Sequence, residues 1–185
     1  MALLLTIAAV HLALSAQADV PTSPSELFQR ARTAYAQGDS ATALTLMEKV
    51  VAAEPKNGDA LGWLGFLFLR SGDSAKAVPV LERALALKPG SAEVTTNLAN
   101  ALQGLPTKTA AQQTKIQQLF EQAVKLNPSA SEAYTGLGFA AYRQGDYSKA
   151  LVAFRRVTEL KPSDAAAHLN LGLAYTRRNQ DIDAL

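Results

Sequence analysis

Four prolines narrow what this chain can fold into. Pro55, Pro89, Pro128 and Pro162 stand 34, 39 and 34 residues apart, and each closes a similar phrase: VVAAEPKN, ALALKPGS, AVKLNPSA and VTELKPSD. Self-similarity at a period of about 20–50 residues marks a stack of small units, none of which can bury its apolar face alone. Upstream of three of the prolines lies a second phrase, AYAQGDSATA, FLRSGDSAKA or AYRQGDYSKA, in which Gly38, Gly72 and Gly145 each precede their proline by 17 residues. Glycine reaches the left-handed conformation that ends a helix. The aspartates that follow, Asp39, Asp73 and Asp146, supply a short acceptor for the free N–H groups of the next helix. Proline lacks an N–H and pushes the residue before it out of helical geometry, which stops that helix. Lys88 and Lys161 precede two of these stops, where a cation complements the negative helix end. The predicted unit is therefore helix, Gly-Asp turn, helix, proline stop.

Small residues recur at fixed phase between these marks. Ala43, Ala77 and Ala150 fall in the second helices, and Gly65, Ala99, Gly138 and Gly172 in the first, with Leu64, Leu98, Leu137 and Leu171 beside them. Small side chains let neighbouring helices approach closely, and the leucines fill the space alongside. With these residues in view, the chain resembles the tetratricopeptide repeat family, whose unit reads W-x-x-L-G-x-x-Y, A-x-x-x-F, P. The fourth unit, YTGLGFAAYRQGDYSKALVAFRRVTELKP, matches through Tyr134, Leu137, Gly138, Ala150, Phe154 and Pro162. The first is weaker, with Arg30 and Ala31 where Leu and Gly are usual. The resemblance implies an all-α fold, a right-handed superhelical solenoid of antiparallel helix pairs whose concave face binds peptides or proteins.

The units fall at about 24–57, 58–91, 92–130, 131–164 and 165–185. The third is five residues too long, with the excess placed between its helices at Gly104–Gln112. A longer surface loop changes closure entropy little, so the excess reads as neutral lengthening, with a contact site as the alternative. Pro79 lies inside a second helix and is expected to kink it or remove one hydrogen bond. The fifth unit has its first helix, AAAHLNLGLAYTRRN, and only the start of its second, DIDAL. An apolar face without a partner is a liability at a solenoid end, so the sequence reads as a fragment or as the front of a longer protein.

The first residues differ in kind. An apolar stretch from Leu3 to Leu14 leads into Ala16-Gln17-Ala18, and no charged side chain precedes Asp19. An apolar core of about 7–15 residues before an A-x-A site reads as a secretory signal peptide over residues 1–18, a signal-like helix too short to be a stable membrane span. Residues 19–23 are then a linker. The departure is that no Lys or Arg precedes the apolar run, and the alternatives are a helix packed on the first repeat or a misplaced start.

Under the resemblance, first helices line the concave groove. Matching positions give Phe28, Arg32 and Tyr35 in unit one, with Asp59, Phe66, Leu69 and Arg70 in unit two. Unit three gives Glu93, Thr96, Asn100 and Gln103; unit four gives Glu132, Phe139, Tyr142 and Arg143; unit five adds Leu169, Leu173 and Arg177. Of these, Phe28, Arg32, Tyr35, Phe66, Leu69, Arg70, Asn100, Phe139, Tyr142 and Arg143 form the candidate partner-binding set. Phe66 and Phe139 are either displayed or core. Trp63 is expected between helices, because Leu61 holds the family's aromatic position. Some members grip a C-terminal carboxylate with lysine, asparagine and arginine. Asn97 and Asn100 echo that clamp, but Phe28, Gly62, Glu132 and Gly136 occupy its basic positions.

Chemistry is not expected. The chain has no cysteine, so thiol nucleophiles and zinc-thiolate sites are excluded. His168 is the sole histidine after the signal-like segment, Gly136-Leu137-Gly138-Phe139-Ala140-Ala141 fits G-x-G-x-x-A only inside a helix, and no G-x-S-x-G occurs. No cofactor is implied. With 18 basic and 16 acidic residues interspersed, no basic stripe serves nucleic acid; Arg155-Arg156 reads as a solvated face, and Glu121 with Lys125 as a helix-surface pair. The sequence thus points to a protein-interaction scaffold, exported to a periplasm or secreted. The alternatives are the N-terminal recruiting arm of a larger enzyme or polysaccharide-secretion protein, or a cytoplasmic adaptor. On the export reading, N-terminal sequencing of the protein from its native source finds Asp19 first; an intact Met1 would refute it.

Overall fold

The structure, a computed structural model, describes residues 23–183, with side chains through Gln180. The expected signal peptide and all of the linker before Ser23 lie outside the described residues. Among the described residues the chain forms nine α-helices and no strand: α1 (Pro24–Ala36), α2 (Ser40–Ala53), α3 (Gly58–Arg70), α4 (Ser74–Leu87), α5 (Ala92–Gly104), α6 (Ala110–Leu126), α7 (Ser131–Arg143), α8 (Tyr147–Leu160) and α9 (Ala165–Asp183). They fall into two compact units, one up to Glu54 and one from Pro55 onward. The first is the hairpin of α1 and α2. In the second, α3 pairs with α4, α5 with α6, α7 with α8, and α9 packs on α8.

Three hairpins turn by one mechanism. Gly38, Gly72 and Gly145 take φ of 86°, 80° and 79°, the only positive values among the described residues. The left-handed step lets the following N–H return to the helix just ended: Asp39 to the Ala34 carbonyl at 2.9 Å, Asp73 to Phe68 at 2.9 Å, Asp146 to Ala141 at 3.0 Å. Each aspartate then accepts from the third residue of the next helix, Thr42, Lys76 or Lys149. The stops are equally regular. Glu54, Lys88, Asn127 and Lys161, each directly before a proline, leave helical geometry with φ between −127° and −138°.

Packing explains the fixed small residues. One residue eight positions before each proline is buried at 1% exposure or less: Met47, Leu81, Phe120 and Phe154. Within the second unit, the Leu81 side chain fills the space over Gly65, Phe154 lies over Gly138, and Phe120 reaches Gly136 in the next repeat; a Cβ at any of these glycines would collide with that side chain. In the first unit Ala31 and Ala43 are fully buried, while Arg30, in place of the usual leucine, stays at the surface.

Several expectations need correction. Among the described residues nothing outside its own helix backbone comes within 4 Å of where a Cβ of Gly172 would stand, so there it serves no close helix approach. The fifth unit also lacks the expected helix break. Asn179 and Gln180 stand where the fourth has Gly145 and Asp146, and α9 runs unbroken through Asp183, without the glycine that makes the turn. The third-repeat insertion is not wholly a loop: α6 has 17 residues against 14 in α2, α4 and α8, and Thr109 with Gln112 forms a reciprocal capping box at its start. Pro79 is exposed within α4, which continues through it as one helix, so the consequence is one missing backbone bond.

Adding one methyl group separates the packed glycines from the open one. Gly138→Ala should destabilise the protein by about 1–3 kcal/mol through the displaced Phe154 ring. Gly172→Ala should instead be neutral or stabilise by up to about 1 kcal/mol through helix propensity. Thermal unfolding of the two variants checks both; equal effects would contradict the packing.

Candidate partner-binding face

The first helices of the second unit touch in series, α3 with α5 and α5 with α7. Side chains cross between them. Asn100 donates to Glu132 at 2.9 Å, and Arg177 Nε donates to the Tyr142 hydroxyl at 3.0 Å. With its amide turned so that oxygen faces α7, Gln103 accepts from both terminal nitrogens of Arg143. These bridges put Asn100, Tyr142 and Arg143 on one continuous side of α5, α7 and α9.

The aromatics of that side are held edge to face. Phe139 is 40% exposed, with its ring 5.2 Å from that of the buried Phe154, so it is displayed on a rigid support. Tyr142 is half-buried and stands 5.3 Å from Tyr147. Phe66 is half-buried against Trp63 at 5.7 Å, which makes it neither fully core nor fully displayed. Leu69 is half-buried and Arg70 exposed. Trp63 itself is half-buried, facing a cavity of about 80 Å³ that Asp59, Gly62 and Asn97 also line. In the other unit, α1 carries Phe28 and Tyr35 half-buried and Arg32 exposed.

The wider set divides. Thr96 is buried at 5% exposure and returns its hydroxyl to the Ala92 carbonyl at 2.8 Å, so its O–H is already spent within its own helix. Asp59 is engaged by Lys88, which does more than neutralise a helix end. Leu169 and Leu173 are exposed at 64% and 49%. His168 Nε2 lies 2.8 Å from the Pro162 carbonyl, and the described residues hold no group of three or more His, Cys, Asp or Glu that could bind a metal ion.

Several surface charges are tied between helices. Arg83 donates to the Pro55 carbonyl at 3.1 Å and Arg156 to the Pro128 carbonyl at 3.5 Å, each reaching back 28 residues. Arg155 donates to the Tyr175 hydroxyl. Glu121 pairs not with Lys125 but with Lys149 at 2.8 Å, because the α7–α8 hairpin brings that amine closer than its own helix does. The Lys149 hydrogen bond, and after it that of Gln117, holds the Glu121 carboxyl below its ordinary range, and Glu121 raises Lys149 in turn.

Sequence reasoning missed Gln113 and Gln144, and reached Lys108 only within the Gly104–Gln112 segment, whose alternative reading is a contact site. With Ile116, Ala140 and Arg143 they line a cavity of about 240 Å³ between the inserted segment and the end of α7. The excess length of the third unit was the available signal.

Stacked helix hairpins with glycine-turned corners and a row of first-helix side chains along one side define a tetratricopeptide-repeat protein. A family model described as the cytochrome c-type biogenesis protein H TPR domain matches residues 56–168, and a tetratricopeptide repeat model matches residues 27–49. The chain belongs to that cytochrome c-type biogenesis protein H TPR domain family. Solved structures agree. A crystal structure of MamA is 26% identical with a TM-score of 0.70, covering 80% of this chain and 84% of its own. MamA from Desulfovibrio magneticus RS-1 is 28% identical, TM-score 0.66, covering 78% and 79%. TTC0263 from Thermus thermophilus, a thermophilic TPR protein, shares the fold at 19% identity and TM-score 0.69, covering 83% and 82%. No curated protein matches the chain in sequence.

The Glu121–Lys149 pair gives a pH test. A carboxyl with a depressed folded pKa contributes stability that is present above its unfolded value, near 4.5, and is lost as pH falls through the lower folded value. Glu121→Gln should remove about 0.2–1 kcal/mol at pH 7, since the pair is partly exposed, and flatten the decline below pH 4.5. Thermal midpoints measured against pH would contradict this if both proteins fell in parallel.

Proposed function

We propose that this chain is an exported scaffold, periplasmic or secreted, that docks a partner polypeptide on the side of its first helices and performs no chemistry itself. The observation that carries this is Phe139: a large aromatic 40% exposed, braced by Phe154 and neighboured by Tyr142 and Arg143. Aromatic and arginine side chains on a rigid support are the usual anchors of protein interfaces. In the second unit the proposed docking set remains Phe66, Leu69, Arg70, Asn100, Phe139, Tyr142 and Arg143; in the first, Phe28, Arg32 and Tyr35 on α1 are proposed for the same role.

Export is supported by the apolar stretch and A-x-A site of the sequence, and the name of the matched family makes components of cytochrome c-type biogenesis the first partners to test. That family is described as a domain, which favours as a second reading a recruiting arm within a larger protein.

The full chain, immobilised and exposed to extract of the source cell, should retain a partner that the Phe66→Ala, Phe139→Ala double variant retains roughly tenfold less or not at all. Circular dichroism should remain helical. Undiminished capture would remove this side of the protein from consideration.

A further inference from the structure

The insertion in the third repeat does more than lengthen a loop. It carries Lys108 to the rim of the 240 Å³ cavity, facing the end of α7, where Arg143 stands. Two cations from successive repeats therefore line one depression, and among the described residues neither has a carboxylate within salt-bridge distance. Of the other lysines and arginines of this unit, Lys76, Lys88, Lys115, Lys149 and Arg156 do have one.

Both cations are held in place by neutral groups. Lys108 Nζ donates to the Leu105 carbonyl at 2.6 Å, and Arg143 is held by the Gln103 amide oxygen. An ammonium has three donors and a guanidinium five, so both retain N–H groups for a ligand. The Gln144 amide nitrogen donates to the Gln113 backbone carbonyl at 3.4 Å, which ties the end of α7 to the first turns of α6. Beneath lie Ile116 and Ala140, 1% and 2% exposed, which give the cavity an apolar floor. At the position of Ile116 the other repeats have Ala43, Ala77 and Ala150, so the third repeat differs in its floor as well as its length.

An apolar floor under two cations suits a carboxylate on a short methylene stem, since charge-assisted hydrogen bonds from Arg and Lys are the strong ones and the stem lies on hydrocarbon. We infer that this cavity receives a glutamate side chain of the docked polypeptide, with Lys108 and Arg143 binding its carboxylate. The inference rests on the polypeptide-docking reading above, and its site is separate from the clamp positions that Phe28, Gly62, Glu132 and Gly136 occupy.

Three small probes titrated into the full chain test it, with backbone amide signals as the readout: N-acetyl-glutamate methylamide, N-acetyl-glutamine methylamide, and N-acetyl-glutamine with a free terminal carboxylate. The first should saturably shift the amides of Gln113, Ala140 and Gln144, and the neutral second should not. Replacing half-buried Lys108→Ala or exposed Arg143→Ala should weaken that binding by roughly tenfold each. Equal shifts from the first two probes, or shifts that persist in the double variant, would overturn the site. Stronger binding of the third would overturn the side-chain assignment in favour of a chain end. Failure of the docking reading itself would show separately, as undiminished partner capture by the Phe66→Ala, Phe139→Ala variant.

Discussion

Repeats two to four are each built around one large side chain set into the absence of another. Leu81 over Gly65, Phe120 against Gly136 and Phe154 over Gly138 bring helices together at distances that any Cβ would forbid. Protein interiors are packed densely enough that one methyl group in such a place is felt. Two of these contacts join the helices of a hairpin, and the Phe120 contact joins one repeat to the next. The Phe154 ring that locks α8 to α7 also braces Phe139 at the surface. The packing that builds the stack thus fixes the side chain on which the docking proposal rests.

A second layer of polar links runs between helices. Arg83 and Arg156 reach back to the carbonyls of Pro55 and Pro128, occupying acceptors near helix ends that lack a partner of their own. Glu82 with Lys115, and Glu121 with Lys149, pair across neighbouring repeats. Exposed pairs of this kind contribute little one by one. Their effect is on geometry: they restrain how successive hairpins sit, as Asn100 with Glu132 and Tyr142 with Arg177 do on the proposed docking side.

Much of the fold was legible because the marks are local. A glycine that must take φ near 80°, an aspartate that must accept a hydrogen bond three residues on, and a proline that must end a helix act through the backbone within a few residues. The proposed site was legible only in part. The positions of Phe139, Tyr142 and Arg143 followed from matching the repeats to the groove positions that the family resemblance implies. The partner of Glu121, the burial of Thr96, the bracing of Phe139 and the cavity beside Lys108 did not, because each depends on which residues of another helix arrive alongside.

The sequence by itself determined the period, the helix boundaries and the small residues on which the hairpins close, all consequences of dihedral preference and of hydrogen bonds spanning a few residues. Only the tertiary structure decided that Gly172 meets no other helix among the described residues, that α9 does not turn where α7 does, and that the five extra residues bring a lysine to the same cavity as Arg143. Those outcomes are set by contacts between segments about 30 residues apart, and the pattern of one segment does not specify which side chains of the other will meet it.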